Sequence, residues 1–536
     1  MPKLFYNADN IYTMNRERPV IENVLVEKGV IVDYNVEASE SYEKIDLKGK
    51  TLVPGFIDSH LHTLMYGIEL DMLDLSDTSS IKDLIAKTKK YIKKKDLKKG
   101  EWIIGWGWNQ DKFENEELPK AKDLDKISTE YPIVLKRECR HLLVANSLAL
   151  KKADITEATK VVDGKINLDS DGDPNGILRE NAQKLVLKAA PETTVKDIKN
   201  YIVKSGKKFR ENGLTFVQSD DLDDSNVSYK KVLQAYYELA DSGQLPVRFN
   251  LQLRLTTIDQ LNEFLSEHKL GKYNDFLTLG PLKIWADGSL GARTAALRES
   301  YTDRDNSFGE LLCSKEKMEK MAKIAFENEM QIACHAIGDR TIEQFIEVIE
   351  SLNKEYDTNL RHRIIHSQLA DYKLLKRMKK AGINTDIQPA FTVSDWKIVA
   401  NRLGKRREQQ SYLWKNMLDL NINTAGSSDC PIEKPDPIWG ISCAVTRKDK
   451  DKKPDHGWLP QQKITVQDAL EIYTKNAAYN AFEEKDKGKI EVGYKADFTI
   501  IDQNPFLIKA DELRDINIEA TVIGGEIYPN KKSSSF

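Results

Sequence analysis

The chain is predicted to be an α/β protein: a (β/α)8 TIM barrel with a small β-sandwich formed from both termini and a subdomain inserted after the first barrel strand. Three observations predict it. Eight short strand-like runs alternate with helix-length amphipathic segments, the pattern of parallel βα units that close on themselves. Both ends of the chain share a texture of brief apolar runs broken by turns, and neither end could bury a core alone. The interval between the first two runs is far longer than one crossover needs.

Taken in order, Leu4-Phe5-Tyr6, Val24-Leu25-Val26 and Val30-Ile31-Val32 alternate with Asn7 and Lys28-Gly29, as in a small antiparallel sheet. The same texture returns at Ala496-Asp497-Phe498-Thr499-Ile500 and Thr521-Val522-Ile523, so residues 1–52 and 485–530 are assigned to one composite β-sandwich. The barrel domain spans 53–484. Its strands are read at Val53 to Ile57, Leu214 to Val217, Val247 to Leu253, Leu282 to Trp285, Gln331 to Ala333, Arg363 to Ile365, Ile383 to Ile387 and Ile422 to Ala425.

The insert occupies about 66–210. Within it, Ser80 caps a helix whose Ile81, Leu84, Ile85 and Ile92 recur at helical spacing. The lysines around that helix (Lys89, Lys90, Lys93, Lys94, Lys95) read as a solvated face, because no aromatic platform for nucleic acid is interleaved with them. Asp169 to Gly176 lacks the closing acidic ligand of a calcium loop and reads as a hairpin turn. Gly105-Trp106-Gly107-Trp108-Asn109-Gln110 lacks the third glycine of a dinucleotide fingerprint. Lys531 to Phe536 reads as a frayed end.

Composition narrows the function classes. Of 536 residues, 81 are Lys or Arg and 84 Asp or Glu, so no global field favours nucleic acid or an anionic membrane. No long apolar window and no leader pattern occur, and a cytoplasmic location is expected. The five cysteines are scattered without a Cys-x-x-Cys spacing and read as reduced thiols.

Chemistry concentrates where the strand runs end, which is where this barrel places an active site. His60 and His62 follow the first run, Lys283 lies in the fourth, and His335 and His366 close the fifth and sixth. Asp429 follows the eighth. Of eight histidines in the chain, four stand at these positions. One His-x-His could be an ordinary polar strand end; four imidazoles and a carboxylate gathered this way suit zinc, and exceed what one catalytic ion needs. Two ions repel and require a bridging anion. Lys283 supplies one if its amine carries CO2 as a carbamate; the alternative is a lysine paired with a nearby acid.

The chain resembles the amidohydrolase superfamily, in its amidohydrolase-3 or YtcJ-like branch, which includes N-substituted formamide deformylases. The resemblance rests on Pro54-Gly55-Phe56-Ile57-Asp58-Ser59-His60-Leu61-His62, Gly105-Trp106-Gly107-Trp108, Asn146 to Leu150, Gly176 to Ala182, Lys283 to Arg293, His335-Ala336-Ile337-Gly338-Asp339, His366-Ser367-Gln368, Ser428-Asp429-Cys430-Pro431 and Ala496-Asp497-Phe498. It implies that His60, His62 and Asp429 hold one divalent ion, that His335 and His366 hold another, and that carboxylated Lys283 bridges them. The expected reaction is cleavage of an amide-type C–N bond of a small molecule by a hydroxide held between the ions, with Asp429 carrying the proton. A lactone or ester hydrolase, a deaminase and a scaffold without catalysis are the alternatives. Trp108, Arg137, His141, Asp287 and Arg293 lie in family-like stretches and are the candidate substrate contacts. A small-molecule substrate is expected, with neither nucleic acid nor membrane as partner, and a homodimer is the assembly considered.

Overall fold

The computed structural model describes residues 1–139, 141–162, 164–222 and 227–530; the tail from Lys531 to Phe536 lies outside the described residues. Two compact units result, Gly67–Asp197 and the remainder of the chain.

The larger unit is built on eight parallel strands paired in chain order: Phe56–Leu61, Leu214–Ser219, Arg248–Leu253, Leu277–Trp285, Ile332–Ala336, Arg363–His366, Asn384–Ile387 and Thr424–Gly426. Their residues are almost all buried, as expected of strands covered on both faces. The sheet is nearly closed. Ser59 Oγ donates to the Gly426 carbonyl at 3.0 Å, and Asp429 N donates to the His60 carbonyl at 2.9 Å, across the seam between first and last strands.

Two boundaries differ from the sequence reading. Val53 belongs to Thr51–Pro54, a strand of the terminal sheet, and the first barrel strand begins at Phe56. One apolar run thus serves two sheets, divided at Gly55, where a Cβ would lie 2.3 Å from Thr215 Oγ1. The fourth strand starts earlier than Leu282, at Leu277, and runs through Gly280-Pro281. That dipeptide sits where the register with the third strand shifts, and a bulge is the place a strand tolerates it.

The terminal segments form two sheets. Thr51–Pro54 pairs with Phe498–Ile501 on one side and Asn10–Tyr12 on the other, and Lys3–Tyr6 pairs with Val24–Glu27 and Glu43–Asp46. Phe5 and Phe498 meet edge to face at 5.6 Å in the core these sheets share. A buried, bidentate ion pair ties this sandwich to the barrel: Arg248 Nε and Nη2 donate to Asp497 at 2.7 and 2.9 Å.

The smaller unit holds a six-stranded sheet and the helix Ile81–Lys95. Ser80 accepts from Asp83 N at its N-cap, and the five lysines named above are exposed. Asp169 to Asp173 joins the hairpin Gly164–Leu168 and Pro174–Glu180. All five cysteines are free thiols, four of them buried. No helix among the described residues is long and apolar enough to cross a membrane.

Candidate metal centre

Because the strands are parallel, residues at their C-terminal ends share one rim of the barrel. His60 Nε2 and His62 Nε2 lie 3.2 and 3.1 Å from Asp429 Oδ1, and these three residues form a compact group able to hold an ion. His366 Nε2 lies 3.0 Å from His335 Nδ1. Lys283 Nζ, buried, is 3.5 Å from His60 Nε2, which joins it to the first group. The rings of His60 and His366 approach edge to face at 5.7 Å, so the two groups are neighbours.

The remaining ring nitrogens decide what the inward-facing ones can do. His60 Nδ1 meets Gln252 Oε1 at 2.9 Å, His62 Nδ1 meets the Asp220 carbonyl at 2.9 Å, and His366 Nδ1 meets Gln388 Oε1 at 2.8 Å. His335 is turned the other way, with Nε2 at 3.2 Å from the Gly288 carbonyl. Each of these partners is an acceptor, so the outer nitrogen of every neutral ring carries the proton and the inner one presents a lone pair. Burial holds His60 down to about 3, His366 down to about 4 and His335 well below its ordinary value. Burial alone would raise the Asp429 carboxyl, but the histidines beside it outweigh burial and hold it well below the usual carboxylate range. Four lone pairs and a carboxylate converge without a proton to share, and that donor set fits a divalent cation.

Backbone strain accompanies these positions. His366 and Asp429 have φ of +79° and +57°, which L-residues adopt at a cost of about 1–3 kcal/mol each. Asp58 helps hold the seam, its carboxylate accepting from Ser428 N at 3.1 Å and from His60 N at 3.2 Å; burial pushes that carboxyl up to about 7.

Several residues at this rim escaped the sequence reading. Asp220, after the second strand, lies 3.1 Å from Lys283 Nζ through Oδ2 and 3.3 Å from Arg254 Nε through Oδ1. Gln252 is the penultimate residue of the third strand and Gln388 follows the seventh. Their one available signal was position at a strand end.

The candidate substrate contacts fall in two places. In the insert, Trp108 is buried with Nε1 donating to the Leu135 carbonyl at 2.9 Å. Arg137 donates to Gln110, Asn109 and Asp111, and His141, on the surface, lies 3.1 Å from Glu180. In the barrel, buried Asp287 accepts from the backbone N–H groups of Ala296, Ile337 and Gly338 and from Thr341 Oγ1. Arg293 pairs with Asp303 at 2.9 Å.

The C-terminal rim of the (β/α)8 barrel thus gathers four imidazoles, a lysine and an ionised carboxylate, a donor set of the kind found in metal-dependent hydrolases. Residues 43–529 match the model of the amidohydrolase family, and the chain belongs to that family. It is 37% identical to the YtcJ protein of Bacillus subtilis (strain 168), over 99% of this chain and 100% of that one. It is 24% identical to the N-substituted formamide deformylase of Arthrobacter pascens, over 98% of each. Among solved structures, an uncharacterized metal-dependent hydrolase from Pyrococcus horikoshii superposes with a TM-score of 0.79 at 29% identity, covering 95% of this chain and 99% of that one.

Proposed function

We propose that this protein hydrolyses an amide-type carbon–nitrogen bond in a small molecule, using two divalent ions, with zinc best suited to the donors. His60, His62 and Asp429 would hold one ion and His335 and His366 the other, with Lys283 as a carbamate bridging them. The observation that carries the reading is the orientation of the four imidazoles, each with its outer nitrogen given to an acceptor and its inner lone pair directed at the others.

When bound, such ions supply Lewis acidity and bring the pKa of water down to about 7. The chain's own residues do the rest. Asp429 Oδ1 faces both histidines, while its Oδ2 makes no hydrogen bond among the described residues. That oxygen is placed to take a proton from water and to return it to the departing amine. Lys283 is buried, and burial lowers its pKa although Asp220 opposes the shift, so its amine lies nearer the neutral form that reacts with CO2. The likeness to the formamide deformylase makes N-substituted formamides the first substrates to try.

The test is Asp429→Asn in metal-loaded protein, assayed by amine release. Loss of about a hundredfold or more in kcat with the second ion retained is expected. Unchanged turnover in that variant would remove Asp429 from proton transfer, and no turnover of any formamide, acyl amine or cyclic amide by the native protein would remove the reading.

A further inference from the structure

Three buried carboxylates of the larger unit have a cation beside them: Asp220 has Arg254 and Lys283, Asp386 has Arg363, and Asp497 has Arg248. Asp395 and Glu433, on the metal-bearing rim, have none at ion-pair distance. Asp395 lies on the helix Phe391–Glu408, which starts just beyond the seventh strand. Glu433 stands four residues beyond Asp429, where the eighth strand opens into its loop. Neither has an ion-pair partner among the described residues. Burial raises the Glu433 carboxyl, and Asp395 nearby adds to the rise while Ser394, Lys450 and Lys434 oppose it.

The surroundings offer acceptors without donors to match. Asp395 Oδ2 takes the Tyr412 hydroxyl at 2.6 Å and Gln368 Nε2 at 3.3 Å, while its Oδ1 receives no hydrogen bond among the described residues. Gln368 is 3% exposed; its amide nitrogen is committed to Asp395, and its Oε1 is buried with no partner. An orphaned buried acceptor of this kind costs about 1–3 kcal/mol unless something donates to it.

The position is adjacent to the ions' ligands. Gln368 is two residues beyond His366, and the Phe391 ring stacks on the His366 ring at 6.2 Å. Phe391 and Asp395 are one helical turn apart and so share a face. Three acceptors, two of them anionic, thus stand on the sector of the rim between the sixth and eighth strands.

We propose that Asp395, Glu433 and Gln368 receive the protonated amine of a cationic substrate, so that the amide cleaved here carries an ammonium group. The proposal rests on the hydrolase reading above. An ammonium has three N–H donors and one charge, which complement two carboxylates and an orphaned amide oxygen.

The test uses the metal-loaded full-length protein. Calorimetry compares pentylamine with pentanol, and kinetics compare N-(aminopentyl)formamide with N-pentylformamide. Pentylamine binding where pentanol does not, and a preference in kcat/KM of about tenfold or more for the cationic formamide, carried by KM, are expected. Glu433→Gln, at a half-buried position, and Asp395→Asn, checked for folding by its melting temperature, should each reduce both effects. Equal affinity for amine and alcohol overturns the proposal, as does amine binding that persists in both variants, which would place the amine on the metal ions. Calcium held at this site and not displaced by pentylamine overturns it too. Pentylamine binding that the variants abolish, with neither formamide turned over, upholds the ammonium site while removing the hydrolase reading.

Discussion

His335 Nδ1 and His366 Nε2 face each other at 3.0 Å, and each ring has already committed its other nitrogen to a carbonyl or amide oxygen. Two neutral imidazoles so oriented oppose their lone pairs, an arrangement a cation between them would relieve. Metal removal should therefore destabilise the fold. Chelation is expected to lower the melting temperature and added zinc to restore it, by about 4 kcal/mol when free ion exceeds its Kd about a thousandfold. Scanning calorimetry of native protein against His366→Ala checks this, and an identical zinc response in the variant would sink the assignment.

Lys283→Met should leave one equivalent of metal or fewer, because no bridging anion would then offset the repulsion of two ions. Metal analysis reads the loss, and carbon NMR after labelled bicarbonate should show a carbamate in native protein alone. Full occupancy in the variant would argue that Lys283 serves only as the cation beside Asp220, from which it lies 3.1 Å.

His362 provides a pH test away from the ligands. It is buried, its Nδ1 accepts from Ile332 N at 3.0 Å, and burial holds it down to about 3 against an ordinary 6.5. Between those values the unfolded chain binds the proton and the folded chain does not. The stabilisation is therefore complete above about pH 6.5 and is lost as pH falls toward 3. By about pH 5 this one group should cost about 2 kcal/mol. Urea unfolding at neutral pH and at about pH 5 should show a smaller loss in His362→Asn than in native protein; equal losses would contradict the assignment.

Gly338→Ala would set a Cβ 1.9 Å from the Ala296 carbonyl oxygen. Backbone cannot give way there cheaply, since Asp287 clamps both Ala296 N and Gly338 N. A loss of about 2–4 kcal/mol is expected, with weakened metal binding because His335 lies three residues away. Denaturant midpoints and metal content would measure both, and a native midpoint would refute the packing argument.

The barrel was legible because its strands are buried on both faces and so appear as apolar runs, and because His60, His335 and His366 terminate those runs. Where one apolar run was shared by two sheets, periodicity could not find the division, and Val53 was assigned to the wrong one. The lysine's partner was legible only as an unnamed acid. Asp220, Gln252 and Gln388 act through the register between neighbouring strands, and their residue types are common enough to carry no signal of their own. The same holds for the ring tautomers, which depend on oxygens brought from distant parts of the chain.

Phe56 N, at the start of the strand that ends in His60, donates to Thr499 Oγ1, a partner 443 residues further along the chain. The first barrel strand has nearer partners in Gly213 and in the strand Leu214–Ser219, but this joint at its start is completed only when nearly the whole polypeptide has emerged. The chain's two ends thus close a seam that no shorter product contains.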